Sequence, residues 1–356
     1  MLETKQPELE YEDIKSLTKP ELEDLIVKLG GQKFRAAQVY DWLHKKMVTS
    51  YDEMSNVPKS LKDQLANISP VMIVKQLDKQ VSAIDKTAKY LFELSDGNLI
   101  ESVLMRYKFG NSVCISSQAG CRMGCRFCAS TLNGLSRNLL PSEMLDQIYR
   151  IQSDTKERVS HVVIMGTGEP FDNYDNVRRF ITLLTDENGI NIGARNLTIS
   201  TCGIVPRIIQ FADEKLQVNL AISLHAPNDE LRKTLMPVAN KYSINELMEA
   251  CRYYTEKTSR RITYEYSLVK DVNDTPKAAK ELVSLIKGTN CHVNLIPVNP
   301  IKERDFKQTE GPQIYNFKNF LEKNSINVTI RREMGRDIDG ACGQLRKSYI
   351  DKNEAE

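Results

Sequence analysis

The stretch 114–130, CISSQAGCRMGCRFCAS, contains four cysteines within fifteen residues, and the rest of the chain is best interpreted outward from it. Cys121, Cys125 and Cys128 form a Cys-x3-Cys-x2-Cys set, and Cys114 stands seven residues upstream. Three thiolates can hold three irons of a [4Fe-4S] cube and leave the fourth iron without a protein ligand. The spacing therefore predicts an iron–sulfur cluster with one open coordination position.

A zinc site is the alternative interpretation of these thiols. Zinc would need a fourth ligand, which His161, His225 or His292 could supply. Structural zinc sites usually show paired Cys-x2-Cys or His spacing, and this set has a different pattern. The spacing favours the cluster and leaves zinc open as the alternative.

The composition is that of a globular protein. The chain has 356 residues, of which 41% are hydrophobic and 27% charged, and its eight cysteines are too sparse for a disulfide scaffold. No apolar run approaches the roughly 20 residues of a membrane span, and the amino terminus is polar, so we expect a cytoplasmic protein without membrane contact. A net charge of +2 and a pI near 8.0 permit a nucleic-acid partner but do not argue for one.

From about residue 113, short β-rich runs alternate with helical patterns. The strand candidates are VCISS (113–117), HVVIMG (161–166), NLTIST (196–201), VNLAISLH (218–225), RITYEYSLV (261–269) and HVNLIPV (292–298). Six consecutive βα units predict an α/β fold with a parallel sheet curved into a full or partial barrel. The cysteine cluster, GTGEP, STCG, SLHAPN and PVNP each follow a strand, so we expect them at one face of that barrel.

The first hundred residues predict a small accessory domain. Thr18 and Glu21 form a capping box at the start of one helix, and 32–46 reads as a second, amphipathic helix. Two alternating runs within 88–110, joined through Asp-Gly-Asn, predict a β-hairpin. We expect three parts: an accessory domain over 1–105, a core over 106–332 and a carboxyl-terminal segment over 333–356.

Polar groups at the strand ends are candidate cofactor contacts. Gly168 and Glu169 lie in a glycine-rich turn after the second strand, where backbone can approach a ligand and a carboxylate can accept from an ammonium group. The alternative interpretation of this motif is an ordinary tight turn after a strand, without a ligand. The other candidates at strand ends are Ser200, Ser223, Leu224, His225 and Asn299.

The cysteine spacing, with Phe127 before the last cysteine, resembles that of the radical S-adenosylmethionine superfamily. The resemblance implies a partial (β/α)6 barrel and one [4Fe-4S] cluster per chain, whose open iron is chelated by the amino and carboxylate groups of S-adenosylmethionine. An electron from the cluster then cleaves the sulfonium to a 5′-deoxyadenosyl radical. A non-enzymatic iron–sulfur protein is a weaker alternative, because an electron carrier normally has all four cluster ligands.

Seven ordered blocks between about residues 34 and 345 are similar to the RlmN-type dual-specificity RNA methyltransferases. The blocks are FRAAQVYDWL, CISSQAGCRMGCRFCAS, GTGEPFDNYDN, STCGIVP, SLHAPN, HVNLIPVNP and IRREMGRDIDGACGQL. The resemblance implies methylation of C2 of one adenine in the peptidyl transferase centre of 23S rRNA and of the adenine 3′ of the anticodon in some tRNAs. The Cfr-type relatives, which methylate C8 of the same rRNA adenine, are the alternative. We expect a monomer with a reducing electron donor such as flavodoxin or ferredoxin.

The same resemblance implies roles for two cysteines outside the cluster. In the family, one S-adenosylmethionine methylates a cysteine that matches Cys342, and a second leads to removal of a hydrogen from that S-methyl group. The carbon radical adds to C2, Glu101 matches the base that takes the C2 proton, and Cys114 matches the thiol that ends in a disulfide with Cys342. From the sequence alone, an ordinary buried thiol is the default interpretation of Cys342, whereas an exposed strand carboxylate and a catalytic base are equally open for Glu101.

Basic residues are candidates for contacts with RNA phosphates. We hypothesise that residues 1 to about 105 position folded RNA over the barrel mouth, and a solvated surface is the alternative. The candidates are Arg35, Lys45, Lys46, Arg260, Arg261, Arg331 and Arg332.

Overall fold

The structure, a computed structural model, describes residues 13–299 and 305–338. Its strands over these residues are β1 (Lys75–Val81), β2 (Ala88–Glu93), β3 (Leu99–Tyr107), β4 (Gly110–Ile115), β5 (Gln118–Gly120), β6 (Leu135–Asn138), β7 (Val159–Ile164), β8 (Leu197–Thr201), β9 (Asn219–Ser223), β10 (Ile262–Leu268), β11 (Cys291–Pro297) and β12 (Val328–Ile330). One sheet has the order β1-β2-β3-β4-β7-β8-β9-β10-β11-β12, and β5 pairs with β6 in a separate hairpin. From β4 to β12 the sheet is parallel, whereas β1 to β4 pair antiparallel.

Helices connect the parallel strands, as a βα sheet requires. The α-helices in this part of the chain are α1 (Lys19–Lys28), α2 (Phe34–His44), α3 (Lys59–Ile68), α4 (Pro141–Thr155), α5 (Tyr174–Thr185), α6 (Val205–Asp213), α7 (Asp229–Leu235), α8 (Ile244–Thr258), α9 (Pro276–Ile286) and α10 (Gly311–Lys323). The six predicted strands correspond to β4 and β7 to β11, so the predicted α/β fold is confirmed. None of the helices in the described ranges is long and apolar enough to span a membrane.

Both edges of the sheet differ from the prediction. β12 has only three residues and β1 has no buried residue, so neither gives a clear period-two pattern in the sequence. The predicted hairpin exists as β2 and β3, but it continues the main sheet through the pairing of Val103 with Cys114. The boundary expected near residue 105 therefore falls inside β3. The β5–β6 hairpin is a further element that the sequence did not predict.

The amino-terminal helices are joined to the sheet's outer helices by a buried ion pair. The predicted capping box is present, with the Thr18 amide donating to Glu21 Oε2 at 2.7 Å. Lys15 and Asp146 are both buried, and Lys15 Nζ donates to Asp146 Oδ1 at 2.8 Å. Burial lowers the pKa of Lys15, and the Asp146 carboxylate opposes that shift. Asp146 lies on α4, so this contact fixes the helical module to the βα core.

Removing one charge of this pair should destabilise the protein. The Asp146→Asn substitution keeps an acceptor near the size of the carboxylate but leaves the Lys15 ammonium buried without its counter-charge, which typically costs about 3–5 kcal/mol. The measurement is thermal unfolding of the full chain followed by circular dichroism. Asp41→Asn is the control, because its partner Lys46 lies 3.4 Å away in a half-exposed pair, typically worth under about 1 kcal/mol. Equal unfolding temperatures for the two variants would contradict the conclusion that the Lys15–Asp146 ion pair fixes the helical module to the core.

Candidate active site

The cysteine loop projects from the carboxyl end of β4 and is closed at its base by the β5–β6 hairpin. The pairing of these strands brings Gly120 opposite Leu135, and the Cys121 amide donates to the Gly134 carbonyl oxygen at 2.8 Å. Gly120 has a φ of +79°, and a Cβ there would collide with that same carbonyl oxygen. The base of the loop therefore requires glycine at this position.

The three predicted cluster cysteines are largely withdrawn from solvent. Cys121 and Cys125 are buried, and Cys128 is half-buried. Burial raises the pKa of the Cys121 thiol to about 12, and it also raises the pKa values of Cys125 and Cys128. Thiols in such surroundings become thiolates when a nearby cation compensates the charge, as bound iron does. Three largely buried thiols on one loop are therefore the donor chemistry that an iron–sulfur cluster requires.

Gln118 joins the cysteine loop to the glycine-rich turn after β7. Its Oε1 accepts the Glu169 amide at 2.8 Å, and its Nε2 donates to Asp172 Oδ2 at 3.1 Å. Gly168 has a φ of +110°, and a Cβ there would lie 2.6 Å from Gln118 Cβ. The turn can approach the loop this closely only because residue 168 is glycine.

The Glu169 carboxylate is buried and linked to the next strand end. Its Oε2 accepts the Cys202 amide at 2.7 Å, and its Oε1 accepts the Phe171 amide at 2.9 Å. Burial raises the pKa of Glu169, and these amide hydrogen bonds oppose the shift. The Thr201 and Cys202 side chains also hydrogen-bond to this carboxylate, so a ligand ammonium would take the place of one of these side-chain donors.

His225 lies at the end of β9 and contacts the cysteine loop. Its ring packs edge to face on Phe127, with the centroids 4.6 Å apart. Nδ1 accepts the Ser267 amide at 2.9 Å, which assigns the proton of a neutral ring to Nε2. Burial, reinforced by the positive charge of Arg232, lowers the pKa of His225 to about 3. The loop therefore faces a neutral imidazole.

The other two histidines of the zinc alternative have partners elsewhere. His161 Nδ1 lies 2.9 Å from Ser160 Oγ, and His292 Nε2 lies 2.8 Å from Thr329 Oγ1. Within residues 13–299 and 305–338, no three His, Cys, Asp or Glu side chains, the loop cysteines included, lie close enough together to hold a single metal ion.

The remaining predicted cofactor contacts differ in position and in exposure to solvent. Ser200 and Ser223 lie side by side on β8 and β9, with their Oγ atoms 3.4 Å apart. Leu224 is buried, and its amide donates to the Glu265 carbonyl oxygen at 3.1 Å. Asn299 is exposed two residues beyond β11, and its role stays a prediction.

The antiparallel side of the sheet carries a second group of predicted residues. Val103 on β3 pairs with Cys114 on β4 and with Lys89 on β2, and directly paired residues share a face of the sheet. Glu101, two residues before Val103, is on this face too, and its Oε1 lies 3.6 Å from Lys89 Nζ. Cys114, Glu101 and Lys89 are all buried. The interpretation of Glu101 as an ordinary exposed carboxylate is wrong.

Sequence reasoning missed several residues of this region. Gln118 and Lys89 are polar residue types that are mostly exposed, and nothing in their local pattern distinguishes them. Cys202 is not among the predicted site residues, yet its backbone amide donates to Glu169 Oε2, and it belongs to the same buried apolar cluster as Cys125. Cys342, the predicted methyl acceptor, lies outside the described residues.

Comparison with known proteins identifies the family. A profile of the Radical SAM superfamily matches residues 115–283, and one of the Ribosomal RNA large subunit methyltransferase N-terminal domain matches 12–71. A curated protein of Lachnospira eligens, named "Probable dual-specificity RNA methyltransferase RlmN", is 65% identical over 339 residues, covering 95% of this chain and 97% of its own length. The chain belongs to the RlmN family. A relative of the same name from Clostridium novyi is 54% identical and covers 96% of this chain and 99% of its own.

A solved structure agrees with this assignment to the RlmN family. The crystal structure of a radical SAM methyltransferase from Sphaerobacter thermophilus matches with a TM-score of 0.90 and 41% identity, covering 94% of this chain and 99% of that one. The protein is thus an RlmN-type dual-specificity radical S-adenosylmethionine RNA methyltransferase. Its cofactors are a [4Fe-4S] cluster and S-adenosylmethionine, and it acts on RNA.

Each predicted ligand cysteine should be needed to retain iron. We expect Cys121→Ala, Cys125→Ala and Cys128→Ala to lose most of the bound iron and sulfide after anaerobic reconstitution, because each removes one of three protein ligands. Iron, sulfide and the visible absorption spectrum are measured. Cys251→Ala is the control, since Cys251 is buried in α8. Full iron content in any of the three loop variants would remove that residue from the ligand set.

Proposed function

We propose that this enzyme methylates C2 of adenine 2503 in 23S rRNA and of adenine 37 in some tRNAs, with Cys342 as the carrier of the methyl group. The observation that supports this most is the buried face shared by Cys114 and Glu101, directly before the cysteine loop. A thiol and a carboxylate on one buried face of the sheet are the two groups that such a transfer needs after the carbon has been attached.

The substrate carbon explains why these groups are needed. C2 of adenine is an electron-poor sp2 carbon, so it cannot displace a methyl group from a sulfonium as an amine would. When bound, the cluster and S-adenosylmethionine supply one-electron chemistry and the methyl group at this site. The protein must then carry the methyl group, remove the C2 proton and break its own bond to the product.

We assign these tasks to Cys342, Glu101 and Cys114. Cys342 carries the methyl group on its sulfur, and the carbon radical formed there adds to C2. Glu101 takes the C2 proton, while the ammonium of Lys89, 3.6 Å away, holds the carboxylate in place. The Cys114 thiolate then forms a disulfide with the Cys342 sulfur as the bond from that sulfur to the transferred carbon breaks. The freed carbon takes up a proton to become the methyl group, and the one surplus electron would return to the bound cluster.

The carboxyl ends of the parallel strands would hold the cluster and the cofactor. We propose Cys121, Cys125 and Cys128 as the cluster ligands, with Glu169 accepting from the amino group of S-adenosylmethionine. The further proposed cofactor contacts are Gly168, Ser200, Ser223, Leu224, His225 and Asn299. Support for the set comes from the contacts that connect three neighbouring strand ends through Gln118 and Glu169.

RNA contact is proposed for the amino-terminal helices. Lys46 lies two residues beyond the end of α2, and its Nζ is 3.4 Å from the centroid of the Trp42 ring; on α2 itself, the Arg35 guanidinium lies 4.6 Å from that of Phe34. Phe34 is 54% exposed, so an aromatic and a basic group are presented together. Such pairs suit stacking on unpaired bases beside phosphate contacts. Because β1 to β3 continue the main sheet, this role is better tested by substitution on α2 than by deleting residues 1–105.

The site of methylation separates this proposal from the Cfr-type alternative. Unmodified 23S rRNA and tRNA are incubated with the reconstituted enzyme, S-adenosylmethionine and a reductant, then digested with nuclease and resolved by chromatography. We expect 2-methyladenosine from both RNAs. If 8-methyladenosine were the product, the C2 assignment would be wrong and the Cfr-type alternative correct.

Substitution of Glu101 should stop the reaction after RNA has been joined to the protein. We expect Glu101→Gln to accumulate a protein–RNA adduct, which denaturing gels would show. We also expect Glu101→Gln and Lys89→Met to form methylated product at least about 10²-fold more slowly, because this is the usual contribution of a positioned base to the rate.

The matched control is Lys75→Met, because Lys75 pairs with Glu93 at the exposed edge of the sheet, 3.0 Å away. This variant should form product at the normal rate. Full activity and no adduct in Glu101→Gln would exclude Glu101 as the base.

A further inference from the structure

Arg232, on α7, is a cation with no exposed surface, and none of the roles assigned above uses it. Its Nη2 donates to the Cys202 carbonyl oxygen at 2.6 Å, and its Nε donates to the Leu224 carbonyl oxygen at 3.2 Å. These carbonyls follow β8 and β9 at the carboxyl edge of the sheet. The guanidinium therefore lies at the same edge from which the cysteine loop projects.

The hydrogen-bond partners of Arg232 do not balance its charge. They are neutral carbonyl oxygens, and in the described ranges no carboxylate oxygen lies within ion-pair distance of the guanidinium. Nη1 is buried and has no acceptor among residues 13–299 and 305–338. A buried guanidinium stays protonated, and a buried charge is costly unless an anion compensates it. A negative charge near Arg232 would therefore stabilise the buried guanidinium.

The cysteine loop is the neighbour that can provide this charge. The Leu235 carbonyl oxygen, at the end of α7, accepts the Arg126 amide of the loop at 2.9 Å. Leu235 also belongs to the buried apolar cluster that contains Cys125 and Cys202. Burial lowers the pKa of Arg232, and electrostatic interaction with the thiols of Cys202 and Cys125 opposes this shift most. Asp229, on the same helix, opposes it less, and its Oδ1 accepts the Ile244 amide at 2.8 Å. Helix α7, which carries the buried Arg232, therefore packs against the cysteine loop.

We propose that Arg232 is the counter-charge of the iron–sulfur cluster and sets its reduction potential. A [4Fe-4S] core held by three thiolates has a net negative charge, and reduction adds one more electron to it. A fixed cation in a low-dielectric interior stabilises the reduced cluster more than the oxidised one. Arg232 is thus a positioning residue that acts through the cluster, and its role does not depend on the methyl-transfer route. The competing explanation is that Arg232 only ties the ends of β8 and β9 together.

The test compares Arg232→Gln, which removes the charge but can still donate hydrogen bonds, with Arg232→Lys, which retains the charge. The cluster of the reconstituted full-length protein is titrated without S-adenosylmethionine, and its reduced form is followed by electron paramagnetic resonance. We expect the midpoint potential of Arg232→Gln to shift to more negative values and that of Arg232→Lys to stay near the wild-type value. An unchanged potential in Arg232→Gln, or equal shifts in both variants, would overturn the proposal.

Unfolding with and without the cluster gives a second, independent measurement. We expect cluster loading to raise the unfolding temperature of Arg232→Gln less than that of the wild type and of Arg232→Lys. An Arg232→Gln protein that folds but retains no iron, while Arg232→Lys retains it, would also support the proposal. An Arg232→Gln protein that fails to fold even without iron would show that Arg232 is a structural tie, and the proposal would be wrong.

Discussion

The Gln118 side chain holds the cysteine loop against the turn after β7, and the geometry of the site depends on this contact. The contact is possible because Gly168 has no Cβ, and it places Glu169 where Cys202, after β8, can donate to the carboxylate. Parallel pairing brings the ends of β4, β7 and β8 to one edge, and these side chains then connect the loops that follow them.

The parallel core was predictable because each of its strands is a buried apolar run between helical patterns. The edge strands β1 and β12 were not, because β1 has no buried residue and β12 is very short. In the site, the three loop cysteines and Glu169 were found because their residue types and spacing are chemically distinctive. Gln118, Lys89 and Arg232 matter because tertiary packing buries them, and no local pattern encodes that burial.

Strand β4 connects the two halves of the site. Its parallel neighbour β7 belongs to the edge proposed to hold the cluster and cofactor, whereas its antiparallel neighbour β3 carries Glu101. Cys114 lies on β4 itself, and the cysteine loop follows directly. In the proposed function, Cys114 resolves the Cys342 adduct and the cysteine loop holds the cluster that starts the radical chemistry. Both belong to one continuous segment that begins in β4, so the sheet fixes where the segment starts.

The most direct test of methyl transfer through Cys342 is the mass of the peptide that contains it, measured on protein purified anaerobically with its cluster intact. We predict a single added methyl group on the Cys342 sulfur. A thiol that is unmodified, and stays so after incubation with S-adenosylmethionine and reductant, would contradict this route and require a different carrier for the methyl group.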